Sequence, residues 1–232
     1  MKDNYSSAYI YEKGDYENPK EIFKFNANII IKYLMGQQEA SVLDVGCAKG
    51  EFLYYLKSQL VNCSTYLCGV DFSQTLIKCA KEYSGLDGAE FYNEKVQNFK
   101  TEKKFDVIVA CGVLGFFDEY TGFLENLMAH LKTGGMLLLT WGFMESEYDV
   151  IVKYRLYSES QLEPGWNMHS LKGVERFMQV RGKEVVRHKF ALPFKLEKTD
   201  DVLRSWSLNT EEGQKFTCGL NLIWNLWSLE IK

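Results

Sequence analysis

Paired cysteines are missing from this chain. Its six cysteines, Cys47, Cys63, Cys68, Cys79, Cys111 and Cys218, form no CxxC motif and no regular framework, which excludes a disulfide-stapled scaffold and a zinc-ribbon motif. Four of them fall in apolar or amphipathic segments, where a free thiol behaves as a small hydrophobe. A reducing compartment is the expectation. Histidine is scarce as well: His130, His169 and His188 stand in no ligand spacing with the thiols, so no metal site is expected. Proline occurs only at Pro19, Pro164 and Pro193, too few for a proline-rich linker. Positive charge is not in excess, since 27 Lys and Arg against 31 Asp and Glu give a net charge of −4. That excludes a broad basic field for a nucleic-acid backbone. The local run RGKEVVRHK at 181–189 is offset by acidic neighbours and reads as a solvated face. The longest apolar run, around residues 136–141, is far too short for a bilayer, and residues 1–20 are polar and tyrosine-rich rather than leader-like. A soluble, cytoplasmic protein with no nucleic-acid or membrane partner is expected.

What is present is enough apolar material for one well-filled core: 46% hydrophobic and 15% aromatic residues in a chain of 232. The first two-thirds alternates helical and strand patterns. Residues 22–35 place Ile22, Phe23, Ile29, Ile30, Tyr33 and Leu34 on a helical face. A short strand follows at 41–45, then a helix at 51–60 with Phe52, Leu53, Leu56 and Leu60 on one side. A second strand at 65–70 ends at Asp71. Ser73 is positioned to cap a helix running to Tyr83, which Gly85 and Gly88 stop. A third strand begins at Phe91, FDVIVAC at 105–111 has the continuous β-branched character of a buried parallel strand, and 123–131 is helical. KTGG turns the chain into a fifth strand at 136–141. Five strands separated by helices predict βαβ units in a doubly wound α/β fold with a mostly parallel sheet. The last third breaks the rhythm, with helices expected at 145–157 and 168–181 and strands at 185–194, 202–208, 215–220 and 223–231. LNTEEGQKF reads as a hairpin turned at Gly213, and Pro193 suits an edge.

Chemistry concentrates at VLDVGCAKGEFL, residues 42–53. A ligand held between the end of a strand and the next helix needs glycine where a Cβ would keep the backbone away, and Gly46 and Gly50 supply it. The GxGxxG pattern of dinucleotide binders is absent. Asp44, ahead of the first glycine, would repel a pyrophosphate and suits a ligand carrying ammonium and sulfonium groups; the alternative is a turn aspartate bonding local amides. LCGVDFS then puts Asp71 at the end of the second strand. Its carboxylate can accept both hydroxyls of a ribose, and Phe72 can flank an adenine, or the two can serve as a helix cap and a core residue.

In order and spacing, VLDVGCAKGEFL, GVDFS, FDVIVACGVLGFF and LKTGGMLLLTW resemble the class I S-adenosylmethionine-dependent methyltransferases over residues 22–141. The resemblance implies a Rossmann-like, seven-stranded sheet whose last strand inserts antiparallel between the fifth and sixth. It implies S-adenosylmethionine as cofactor and S-adenosylhomocysteine as product. Contacts are implied at Asp44, Gly46, Cys47, Gly50, Asp71 and Phe72, with backbone near Val96 and Cys111 and with Phe116 of GVLGFF. GDYENPKEI is similar to a lead-in segment that brings an aromatic, here Tyr16, to the cofactor. Three positions depart from the pattern: Ala48 and Lys49 in the loop, Lys95 where many relatives carry an acid near the adenine, and Gly115 where they often carry histidine.

The acceptor side must come largely from residues after the fourth and fifth strands. His169 in EPGWNMHSLKGVERF falls at a helix start and has a suitable ordinary pKa for a general base; a surface or capping histidine is the alternative. Trp166 can wall a pocket or plug the core. Lys153, Arg155, Lys172 and Arg176 either hold an anionic small molecule, with Arg155 and Lys172 foremost, or line solvated helix faces. The last third is loosely similar to methyltransferases of bacterial capsule and surface-glycan clusters, which implies O-methylation of a sugar, sugar nucleotide or phosphorylated precursor. The expected organisation is one domain: lead-in 1–40, cofactor core 41–141, substrate-facing insert and closing strands 142–232. Two other readings stay open: a non-catalytic binding module on this fold, and a nucleic-acid methyltransferase, which the net charge and CGVLGFF disfavour.

Overall fold

Apolar segments that alternate in period along residues 20–138 fold as the pattern predicts. The computed structural model describes residues 15–155, 157–201 and 204–232, and the chain groups into two units. The first comprises residues up to 111, 119–138 and 232. It opens with α1 (Glu21–Tyr33), followed by β1 (Glu39–Val45), α2 (Glu51–Gln59), β2 (Ser64–Asp71), α3 (Gln74–Glu82), β3 (Glu90–Asn93), β4 (Phe105–Cys111), α4 (Thr121–Ala129) and the start of β5 (Leu131–Met144). β1 is parallel to β2 on one side and to β4 on the other, and β3 extends the sheet beyond β2 in parallel. The order is β3-β2-β1-β4-β5. After its first residue β1 is buried throughout, which is why it is a near-unbroken apolar run. Ala27, Ile30 and Leu34 of α1 join Phe52, Leu53 and Leu56 of α2 over Val42, Val107 and Leu138 in one core.

That order reverses between β1 and β4, and in open α/β sheets ligands sit beyond the carboxyl ends of the strands at such a switch point. In register, Asp44 lies opposite Gly69 of β2 and Val109 of β4. The Asp44 and Asp71 expected at a site therefore both stand at this end of the sheet. Ser73 caps α3 as predicted, its hydroxyl accepting from the Leu76 amide at 3.4 Å.

The second unit comprises residues 112–118 and 139–231, and β5 continues into it. Here β12 (Ile223–Ile231) lies next to β5 and pairs antiparallel with β9 (Val185–Phe190) and β11 (Gly213–Thr217). The closing strand thus stands between the fifth strand and β9, the insertion that the family resemblance implies. β10 (Trp206–Thr210) and β11 form the predicted hairpin, with Thr210 opposite Gly213 and Gly213 at φ +109°. α5 (Leu171–Gln179) ends in a Schellman turn: Lys183 N–H donates to Met178 O, and Gly182, at φ +75°, to Gln179 O.

Several expectations change. KTGG is not a turn but part of a longer β5, where Gly134 at φ +75° absorbs the distortion. Residues 145–155, within the helix expected at 145–157, are not helical, because their polar groups go to residues 167–170. Val150 bridges Met168, and Ser170 donates its amide to Asp149 Oδ1 (2.6 Å) and its hydroxyl to Ser146 O (2.8 Å). The short strands β6 (Lys153–Tyr154) and β7 (Glu163–Pro164) then pair. β9 stops at Phe190, ahead of Pro193, and the strand expected from 202 begins at Trp206, residues 202–203 lying outside the described set. No helix among the described residues is long and apolar enough to cross a membrane.

Candidate functional site

The loop from β1 to α2 is built on three alternate left-handed residues, Gly46 (φ +73°), Ala48 (φ +48°) and Gly50 (φ +80°). Gly46 N–H donates to Val70 O at 2.8 Å and Gly50 N–H to Cys47 O at 2.8 Å, which ties the loop to β2 and closes it into a turn. Gly50 serves packing more than ligand approach, since a Cβ there would meet Leu86 Cδ1 at 2.7 Å and Phe91 at 3.2 Å. The Cys47 thiol packs against Gly69, where a Cβ would come within 2.7 Å of Sγ, so Cys47 can address a ligand only through its backbone. Ala48 holds a conformation that costs an L-residue about 1–2 kcal/mol. Ala48→Gly is therefore expected to stabilise the protein by about 1 kcal/mol in chemical denaturation, part of the gain being offset by glycine's larger unfolded entropy.

Three carboxylates gather at this end of the sheet. Asp44 is 4% exposed, Glu51 5% and Asp71 7%. Asp71 accepts the Ala48 amide at 3.0 Å and the Ser73 amide at 2.8 Å; burial pushes its carboxyl up and these two bonds pull it back. Asp44 has no hydrogen-bond partner among the described residues. Burial, then the charges of Asp71 and Glu51, raise it to about 8. A buried carboxylate without a donor is costly, and the cheapest remedy is a cation. A ligand bearing ammonium and sulfonium charges fits this donor set, whereas a phosphate does not.

Around them, Tyr16 OH donates to Lys49 O at 2.7 Å. Its ring stacks on Tyr83 at 3.6 Å between centroids, with Tyr54 edge-on to both. The lead-in aromatic thus bonds the loop's backbone; Gly14 of that motif lies outside the described residues. Phe72 is 39% exposed beside Asp71, with its carbonyl taken by Asn93 Nδ2 at 2.8 Å. Lys95 is exposed, and the Val96 carbonyl accepts from Asn126 Nδ2 at 2.7 Å. Cys111 ends β4 half-buried, its thiol raised to about 12 by burial first and by Asp44 second.

Phe116, Arg155, Trp166, His169 and Lys172 belong to the second unit. Phe116 is half-buried in a 3-10 turn, Leu114–Phe116. The structure corrects the reading of His169 as a base. It is wholly buried, and Nε2 lies 2.9 Å from Phe117 O, a carbonyl to which it can only donate. Nδ1 is 3.6 Å from Asp149 Oδ2. No face of the ring is open to an acceptor. Lys153 pairs with Asp118 at 2.8 Å and Lys172 with Glu147 at 2.9 Å, while Arg155 donates to Ser160 O at 3.3 Å. Half-buried Trp166 packs edge-on against Trp141, 5.9 Å between centroids.

One residue organises this unit. Asn167 donates from Nδ2 to Phe117 O and to Asp118 Oδ1, both at 2.9 Å. Its Oδ1 accepts the Val152 amide at 2.8 Å, its amide donates to Gly115 O at 2.9 Å, and its carbonyl accepts Trp141 Nε1 at 2.8 Å. No local pattern marks such a hub. Glu51 was missed for a similar reason, an acid in a helix's first turn being commonplace.

A family model described as "Methyltransferase domain" matches residues 43–137. Residues 43–137 are thus similar to a methyltransferase domain. A malonyl-(acyl-carrier protein) O-methyltransferase of Bacillus anthracis is 27% identical over 101 residues, 43% of this chain and 36% of that protein. The chain spans about a third to a half of the length of such relatives. Among solved structures, an S-adenosylmethionine-dependent methyltransferase from Clostridium acetobutylicum aligns with 97% of each chain, a TM-score of 0.61 and 13% identity. The plantazolicin methyltransferase BpumL, solved with SAH and a triazolic desmethylPZN analogue, aligns with 98% of this chain and 89% of its own, with a TM-score of 0.60 and 18% identity. These likenesses establish the fold. The residues so matched include Asp44, the glycine loop, Asp71, Phe72, Val96 and Cys111.

Proposed function

We propose that the protein transfers a methyl group from S-adenosylmethionine to an oxygen of a small or carrier-bound acceptor. The observation that carries this reading is the buried, donor-less Asp44 beside Asp71 and Glu51 at the switch point of the sheet, a donor set suited to a cationic cofactor. The O-methyltransferase relative and the SAH-bound BpumL support it. Asp44 would face the cofactor's positive groups and Asp71 its ribose. Phe72 would lie against the adenine, the Val96 amide at its edge, and Gly46, Cys47 and Gly50 would line it with backbone. The sulfonium supplies an already activated methyl, so the chain's own residues have chiefly to orient the acceptor and exclude water.

For the acceptor we propose Trp166, Arg155 and Lys172 as contacts, and for the cofactor Phe116. The Lys153 and Lys172 ion pairs leave Arg155 the better placed of these cations for an anionic group. The narrower reading, a sugar, sugar nucleotide or phosphorylated precursor of surface-glycan assembly, rests on the resemblance of residues 163–232. His169 enters this proposal as a positioning residue holding the Phe117 carbonyl. His169→Gln, which can keep that donation, is expected to retain most turnover, and His169→Ala to lose about 1–3 kcal/mol of stability. A general base would instead cost about 100-fold or more in kcat in both variants.

Calorimetric titration with S-adenosylmethionine and S-adenosylhomocysteine tests the cofactor. Micromolar binding is expected, weakened by about 1–3 kcal/mol in Asp71→Ala, where buried ribose hydroxyls lose their acceptor. No binding of either compound would defeat the reading. Mass-spectrometric detection of a transferred methyl across hydroxyl-bearing sugars, nucleotide sugars and carrier-bound acids then separates the acceptor classes.

A further inference from the structure

Resting on the cofactor reading above, one more property follows from the charge of the site. Asp44 and Glu51 are both at least nine-tenths buried, and neither carboxylate has a hydrogen-bond partner among the described residues. Asp71 is the third acid, already engaged by two amides. The titratable groups that act on or feel Asp44 are Asp71 and Cys68 from β2, Glu51 from α2, Cys47 from the loop and Cys111 from β4. Burial first, and acidic neighbours next, hold the Cys47 thiol well above its ordinary range, and burial raises Cys68 and Cys111 to about 12. All three stay neutral near pH 7. Lys20 acts on Cys111. The Lys49 ammonium lies over the Tyr16 ring at 5.9 Å and acts on Asp15. The influences on Asp44 itself, burial, Asp71 and Glu51, all disfavour its charged form.

We propose that Asp44 carries a proton in the free protein and releases it to solvent when a sulfonium ligand binds, so that preference for S-adenosylmethionine over S-adenosylhomocysteine grows as pH rises through neutrality. The O–H bond of the carboxyl breaks, the carboxylate keeps the electron pair, and the proton passes to buffer. The sulfonium is a fixed cation at every pH and the thioether is neutral. A nearby cation favours the ionised carboxylate, and affinity must then rise with pH while the free form remains protonated. The sign is set by Asp44's raised value of about 8: below it binding expels a proton, and above it the carboxylate is already ionised and the gain stops. Both ligands carry the α-ammonium, which draws on the Asp44 proton alike in each, so the ratio of affinities reads only what the sulfonium adds. The consequence is an enzyme less inhibited by its product on the alkaline side.

Calorimetry with both ligands from about pH 6 to about pH 9, in buffers of different ionisation enthalpy, reads the effect directly. The wild-type protein should release up to about one proton more with S-adenosylmethionine than with S-adenosylhomocysteine near pH 7, and the affinity ratio should climb by up to about tenfold per pH unit before flattening. Asp44→Asn should abolish the climb. Glu51→Gln, which removes one neighbouring anion, should move the flattening to lower pH, and it serves as the test if Asp44→Asn fails to fold. A ratio constant across this range while both ligands bind overturns the proposal. Failure of both ligands to bind at any pH defeats the cofactor reading itself.

Discussion

Gly115→Ala is expected to lose about 3 kcal/mol of stability, the cost of forcing an extra carbon into a filled core. The new Cβ would stand 1.9 Å from Trp141 Cζ2, 2.5 Å from Cε2 and 2.8 Å from Cη2, far inside van der Waals contact. Neither side has room to yield. The indole is 7% exposed and its Nε1 is bonded to Asn167 O, while the glycine's own carbonyl accepts the Asn167 amide. One residue therefore pins both the ring and the backbone that the methyl would separate. A denaturant midpoint shows the loss, and Trp141→Leu introduced with Gly115→Ala should recover much of it, since a smaller side chain vacates the space. An unchanged midpoint in the single variant would mean that the indole turns away at little cost.

Where local chemistry and tertiary contacts agree, the fold is readable from residues alone. FDVIVAC is β4 from first residue to last because a strand buried on both faces needs an unbroken apolar run, and 223–231 is β12. Ser73 caps α3 because a short hydroxyl at that place has one obvious partner. Asp44 and Asp71 come to one end of the sheet because strand-end positions are countable once the strands are found. Residues 145–157 misled because their helical pattern competes with acceptors and donors on 167–170, which no window of sequence contains. His169 misled for the same reason. Its type and place at a helix start suit a base, and only the tertiary structure shows Nε2 committed to Phe117 O. Gly50 was placed correctly, yet its missing Cβ makes way for Leu86 and Phe91 more than for a ligand.

Asn167 is the second position of large effect, and substitutions there separate shape from hydrogen bonding. Its side chain is 2% exposed and makes three bonds of 2.8–2.9 Å, to Phe117 O, Asp118 Oδ1 and the Val152 amide. The partners do not suffer equally when it goes. Phe117 O still accepts from His169 and Asp118 still pairs with Lys153, but the Val152 amide loses the acceptor it has. Asn167→Ala should therefore cost about 3 kcal/mol, one stranded amide plus the void of the missing side chain. Asn167→Asp keeps the volume and the acceptor for Val152 while replacing the donor with a carboxylate facing Phe117 O and Asp118. Lys153 first, and Asn167 second, hold Asp118 below the ordinary carboxylate range, so at neutral pH the substitution sets two anions together. The introduced carboxyl must take a folded-state pKa above its unfolded one, which makes the penalty full above that value and smaller as pH falls through it. Midpoints measured at about pH 5 and about pH 8 should show the gap to wild type narrowing on the acid side. A gap independent of pH would mean that solvent reaches the Asn167 side chain, and that its three bonds hold the second unit together less than their burial implies.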